Sequence, residues 1–177
     1  MESLVNTCDF SGVRPIMMEL PYPPVQVRGR NQTYANILSI DYCGSVSELS
    51  AITQYINYET RICGEMCSAA KTLLGIAMAE MIHLQKLGEL IVLLGGKLDF
   101  SAKHQSGKQP MWTPEYLPSV SENMGKMLSA AVEAEKAAIR QYRMHIKAIN
   151  DPDICAVLGR IIRDEEYHIM LLQALAK

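Results

Sequence analysis

Glu-x-x-His occurs twice in this chain, as Glu80-Met81-Ile82-His83 and as Glu165-Glu166-Tyr167-His168. Each copy follows a further glutamate: Glu48 stands 32 residues before Glu80, and Glu135 stands 30 before Glu165. Side chains three apart share one face of a helix, so each motif presents a carboxylate and an imidazole together. Four carboxylates and two imidazoles are the ligand set of a dinuclear metal centre in a helical bundle. Carboxylate-rich ligation with one histidine per ion suits two iron or two manganese ions; zinc favours fewer, softer ligands, and calcium favours oxygen alone. In the expected layout two glutamates bridge the ions, with Glu135 one of the bridging ligands. A further glutamate and one histidine complete each ion, and open positions remain for water, dioxygen or peroxide. Two such ions about 3.5–4 Å apart share a two-electron reaction. Metal is also needed electrostatically, because four glutamates in a dry interior repel one another and lose their hydration.

Long helices must position these groups. Apolar periodicity predicts helices from about Val46 to Ile62, Cys67 to Leu94, Ser119 to Ile149, and Asp151 nearly to the C-terminus. Gly64 and the Gly95-Gly96 pair mark stops, Ser119 with Glu122 resembles a capping box, and Asp151-Pro152 reads as a cap with proline in the first turn. The links at Gly64 and Asn150 are short, so each joins antiparallel neighbours. The stretch from Gly95 to Pro118, with Pro110, Pro114 and Pro118, is long enough to cross the bundle. Two antiparallel hairpins joined by one long crossover give an all-α, ferritin-like four-helix bundle over residues 46–177. Ahead of it, residues 1–45 hold a proline-rich extended strap around Leu20-Pro21-Tyr22-Pro23-Pro24, then a short helix near 31–42.

Hairpin geometry brings the six residues level. The midpoint of positions 48 and 80 is 64, at Gly64, and that of 135 and 165 is 150, at Asn150. A faint internal repeat supports the pairing: Ala51-Ile52-Thr53-Gln54-Tyr55 matches Ala138-Ile139-Arg140-Gln141-Tyr142, and in that register Glu48 falls on Glu135. The repeat selects Glu135 over Glu133. Glu59 has no turn at its midpoint with Glu80 and is set aside as a primary ligand. Tyr55 and Tyr142 stand seven residues after Glu48 and Glu135, placed to hydrogen-bond near the metals, to carry a proton or radical, or simply to fill the core. Asp164 or Glu166 can orient a histidine from across the bundle. His104 and His145 lack the motif and read as surface or packing residues.

Composition narrows the function classes. The 177-residue chain carries a formal net charge of -2 and has no basic field for nucleic acid. Its longest apolar run, Leu90 to Leu94, is too short for a bilayer span. Five cysteines with no Cys-x-x-Cys, and no signal-like N-terminus, lead to the expectation of a reduced, cytoplasmic protein with buried, unpaired thiols.

The segments Ser47–Tyr55, Glu80–Leu84, Glu133–Ile139 and Asp164–His168 resemble the ferritin-like di-iron and di-manganese carboxylate superfamily. Within it they are most similar to small bacterial proteins grouped with rubrerythrins and manganese catalases, including catalase-like spore-coat proteins. The resemblance implies that Glu48, Glu80, His83, Glu135, Glu165 and His168 are the metal ligands. It implies an oxidoreductase acting on hydrogen peroxide, as catalase or as peroxidase with an external electron donor, or on dioxygen. An iron- or manganese-handling ferroxidase-like protein and a metal-stapled structural protein of a spore coat are the alternatives. The paired Cys-x-x-Cys of an attached rubredoxin-like domain is missing, and the chain is shorter than most manganese catalases. A homodimer or higher homo-oligomer is expected.

Overall fold

The computed structural model describes residues 8–104, 106–118, 121 and 123–176. Five α-helices account for most of them: α1 (Gln32–Cys43), α2 (Glu48–Ile62), α3 (Cys67–Leu93), α4 (Met124–Ala148) and α5 (Pro152–Leu175), with a 3-10 turn at Pro114–Tyr116. Helices α2 and α3 form one hairpin, α4 and α5 the other, and α3 also packs on α5. This is the four-helix bundle with one long crossover that the spacing predicts. Among the described residues the only strand-like pairing is an isolated bridge between Ser101 and Met111 inside the crossover.

Local chemistry sets the helix ends. Ser47 caps α2, its hydroxyl accepting from Ser50 N. Asp151 caps α5 as expected, accepting from Asp153 N, with Pro152 in the first turn. The start of α4 differs from expectation. The cap is Asn123, whose Oδ1 accepts from Lys126 N, and the helix begins at Met124; Ser119 and Glu122, the predicted capping box, lie outside the described residues. Gly95 has φ +87°, the left-handed conformation that ends α3.

The hairpin helices are unequal, and α1 makes up the difference. Helix α2 has 15 residues against 27 in α3, so the second half of α3 outruns its partner. Leu38 and Tyr42 of α1 cover that half at Leu87, Leu90 and Ile91. The apolar core is therefore in two parts. One part joins α1 to the far ends of α3, α4 and α5, through residues such as Leu90, Ile139, Leu158 and Ile161. The other lies towards the Gly64 turn and holds Tyr58, Leu73, Ile76, Leu128 and Leu172. Between them runs a buried polar layer.

The N-terminal segment crosses the bundle as an extended strap. Ile16 N donates to Gly75 O of α3 at 2.9 Å. Further along, Arg28 N donates to Asp151 at 2.8 Å. The expectation that all five cysteines are reduced is corrected here, because Cys8 and Cys67 form a disulfide. The strap's path joins residues 59 apart, a pairing that no local spacing reveals. Cys43, Cys63 and Cys155 are not in disulfides. Among the described residues no helix is long and apolar enough to cross a membrane.

Asp151 ties the α5 N-terminus and the strap together through one carboxylate. Asp151→Ala is expected to destabilise the fold by about 1–2 kcal/mol. Thermal melting should fall by about 2–4 °C per kcal/mol, and an unchanged melting temperature would refute the dual role.

Candidate metal centre

The polar layer is made of one level from each bundle helix. Helix α2 supplies Glu48 at its first turn, α3 supplies Glu80 and His83, α4 supplies Glu135, and α5 supplies Glu165 and His168. All six are buried, none more than 3% exposed. Their ligand atoms form two overlapping groups, each within 4.8 Å: Glu48, Glu80, His83 and Glu165, and Glu80, Glu135, Glu165 and His168. The layer thus brings together every residue that the two motifs and their upstream glutamates single out.

Glu80 and Glu165 belong to both groups, whereas Glu135 belongs to one. Glu48 likewise belongs to one group only. The cause lies in packing: α3 and α5 approach each other across the middle of the bundle, so their carboxylates meet between the two positions, and those of α2 and α4 reach in from the flanks.

Hydrogen bonds fix the orientation of both imidazoles. His168 Nε2 lies 2.8 Å from Ile16 O of the strap. A carbonyl only accepts, so Nε2 carries the proton. His83 Nε2 donates to Asp164 Oδ2 at 3.1 Å. Asp164 also accepts from Met18 N at 2.7 Å and from the Tyr22 hydroxyl at 2.8 Å, and it pairs with Arg160 at 2.6 Å. Burial opposes its charge, but the bonds from His83 and Arg160 outweigh it and hold the carboxyl down at about 2. Both Nδ1 atoms therefore face the carboxylates. His83 Nδ1 lies 2.8 Å from Glu80, 3.3 Å from Glu165 and 3.6 Å from Glu48. His168 Nδ1 lies 3.0 Å from Glu80 and Glu165 and 3.7 Å from Glu135.

This arrangement fits two cations. A neutral imidazole protonated at Nε2 directs a lone pair from Nδ1 into a ring of carboxylate oxygens, a contact that only a positive charge makes favourable. Among the described residues no hydrogen-bond donor reaches the fully buried Glu80 Oε1, because its neighbour at 3.0 Å, His168 Nδ1, belongs to a ring whose proton is on Nε2, which strands an acceptor at the shared position. Protons alone supply the charge only by distorting the titration of the layer. Burial, then the charges of Glu80 and Glu165, raise Glu48 well above the ordinary carboxylate range, and Glu135 rises for the same reasons. Burial works against charging His83 and His168, yet the surrounding carboxylates raise both well above ordinary histidine.

The tyrosines cross between halves. The Tyr55 hydroxyl of α2 donates to Glu135 of α4, and the Tyr142 hydroxyl of α4 donates to Glu48 of α2. Burial, followed by the neighbouring carboxylate charge, raises both phenols well above 10, so they remain protonated donors. A cavity of about 250 Å³ reaches the layer between α2 and α4. Its walls include Glu48, Glu135, Tyr55 and Tyr142 together with Ala51 and Ala134, and the crossover residues Tyr116 and Pro118 border it. Trp112 pins that crossover by donating to Ser50 Oγ at 3.0 Å. The histidines lie on the opposite side, behind the strap.

The remaining sequence candidates are elsewhere. Glu133 is exposed and pairs with Lys136. Glu59 is buried but accepts from Thr60 and belongs to neither group. Glu166 pairs with Arg143 and Arg163 at the surface, so Asp164 is the carboxylate that orients a histidine. His104 lies exposed in the crossover. His145 is buried against Asp41, with Nδ1 2.7 Å from Oδ2. Sequence reasoning missed the Ile16 carbonyl, because a main-chain acceptor has no residue-type signature.

The Rubrerythrin family model matches residues 44–176. A curated relative, the probable manganese catalase of Clostridium acetobutylicum, is 25% identical over 167 residues, covering 84% of this chain and 72% of that protein. Among solved structures, KatB, a manganese catalase from Anabaena, superposes with a TM-score of 0.72 at 24% identity, over 89% of this chain and 77% of that one. Rhodobacter capsulatus bacterioferritin, solved with a metal-free dinuclear site, superposes with a TM-score of 0.67 at 20% identity, over 84% and 86%. These structural likenesses establish the fold.

Membership in both groups or in one predicts different metal counts. Glu80→Gln is expected to lose both bound ions and Glu135→Gln only one, as read by elemental analysis of manganese-reconstituted protein. Equal losses in the two variants would contradict the distinction.

Proposed function

This chain belongs to the rubrerythrin family, within the ferritin-like di-metal superfamily, and from that premise we propose that it is a dinuclear manganese or iron oxidoreductase acting on hydrogen peroxide. The observation that carries the reading is the pairing of two fused ligand groups with a cavity that reaches them. Glu80 and Glu165 would bridge the ions, and Glu48 with His83 and Glu135 with His168 would complete them. Bound there, the pair of ions would supply a two-electron redox couple.

The chain's own residues define what that couple meets. Peroxide and water are small enough for a cavity of about 250 Å³ walled by alanines. Tyr55 and Tyr142 hold their protons and tie one oxygen of each terminal glutamate. That keeps Glu135 and Glu48 from swinging into the cavity and leaves the open face to the substrate. The strap seals the histidine face from water. In disproportionation two peroxides give one dioxygen and two waters, so no electron donor is required. As a peroxidase the same site would need reducing equivalents from outside. The catalase-named relative favours the first of these, with manganese as the metal.

The test is reconstitution with manganese or iron separately, followed by addition of peroxide. Oxygen release by the manganese form supports disproportionation. Iron oxidised by peroxide without oxygen release points to peroxidase chemistry, and two tightly held but unreactive ions would sink the enzymatic reading. Ala134 is exposed at the cavity wall. Ala134→Phe is expected to slow peroxide turnover about tenfold, or about 1.4 kcal/mol in barrier, with metal content unchanged.

A further inference from the structure

The two halves of the centre are built from a repeat, and the repeat breaks at one position. Aligning Glu80-Met81-Ile82-His83 with Glu165-Glu166-Tyr167-His168 places Ala79 opposite Asp164. Asp164 of α5 orients His83 of α3. The symmetry-related task, orienting His168 from α3, falls on Ala79, which has no acceptor in its side chain. The Ile16 carbonyl takes that place, at 2.8 Å from His168 Nε2.

That carbonyl is delivered by a segment anchored at and downstream of Ile16 and more sparsely bonded upstream of it. Ile16 N donates to Gly75 O, and the strap lies so close that a Cβ on Gly75 would stand 2.7 Å from Ile16 side-chain carbons and 3.0 Å from Arg14 O. Downstream the strap is anchored independently: Met18 N and Tyr22 donate to Asp164, and Arg160 donates to the Met18 and Leu20 carbonyls. Upstream, among the described residues, those from 8 to 15 make no backbone hydrogen bond to the bundle. Their ties include Phe10 packed on the core and the Cys8–Cys67 disulfide to the first turn of α3.

We propose that Ile16 is the positioning residue of the His168 metal position and that the Cys8–Cys67 disulfide is the latch that keeps it in place. The proposal rests on the dinuclear reading given above. The two metal positions are then unequal. The His83 position is backed by a carboxylate on a helix, whereas the His168 position is backed by a neutral carbonyl on a strap that reduction loosens. A thiol reductant opens the latch by exchange, giving two cysteine thiols and one reductant disulfide. Peroxide closes it, two thiols and one peroxide giving the disulfide and two waters. The proposed substrate would thus lock the site that consumes it.

The experiment uses the full chain loaded with manganese(II). Release into excess chelator is followed for the oxidised protein, for protein reduced with a phosphine, and for Cys8→Ser and Gly75→Val. In the reduction, water supplies the two thiol protons and the oxygen of the phosphine oxide. Losing a partner of a metal-bound histidine typically costs 10–100-fold in affinity. One of the two ions should therefore leave about 10–100-fold faster in the last three samples, while the other keeps its rate. The coupled two-ion electron-spin-resonance signal should give way to that of an isolated ion. Gly75→Val displaces the strap with the disulfide intact, which separates the latch from the segment it holds. Unchanged rates after both thiols are titrated free would overturn the latch, as would equal acceleration of both ions with a lowered melting temperature. Fewer than two ions in the oxidised protein would instead overturn the dinuclear reading, and this proposal with it.

Discussion

Four glutamate side chains share one dry layer of this bundle, and their mutual repulsion is the constraint around which the rest is arranged. Glu48, Glu80, Glu135 and Glu165 are each almost wholly buried. Isolated carboxylates at such depth either neutralise or bind a cation. The two imidazoles direct lone pairs into the same space, and among the described residues no donor reaches Glu80 Oε1. The apolar clusters on either side hold the layer at one height. They also keep water from it above and below, which strengthens the interactions within it.

The layer has two faces with different tasks. Towards α2 and α4 it is lined by small side chains and by two tyrosines that cross from one half to the other, and it is open to a cavity. Towards the strap it is closed, and both histidines take their orientation there. Tyr22 belongs to that closure. Its hydroxyl donates to Asp164 while Arg160 stacks 4.5 Å from its ring centroid. The prolines before and after Tyr22 keep this stretch extended, which suits a segment that must cross helices without becoming one.

Near-twofold duplication explains much of the economy of the structure, and the departures from it are informative. Tyr55 to Glu135 and Tyr142 to Glu48 obey the repeat, as do the two Glu-x-x-His motifs. Helix α2 does not match α4 in length, and α1 fills the gap against α3. Ala79 does not match Asp164, and the strap fills that gap too. In both places the described residues ahead of α2, Ile16 and α1, supply what the first hairpin lacks.

Much of this was legible before any coordinates. A three-residue spacing puts Glu and His on one helical face whatever the tertiary context, and hairpin midpoints at Gly64 and Asn150 level the partners by counting alone. The repeat also chose Glu135 over Glu133, whereas the crossed bonds from Tyr55 to Glu135 and from Tyr142 to Glu48 were decided by the fold. Only the fold decided that Glu80 and Glu165 are the shared carboxylates, because that depends on which helices approach across the centre. Only the fold revealed the Cys8–Cys67 disulfide and the Ile16 carbonyl, since both depend on the path of an extended strap. Helical periodicity is a local property of the chain, set by covalent geometry and readable from residue order. The route of a segment without periodicity is set by distant surfaces such as the notch at Gly75, and residue order does not encode it in any short-range pattern.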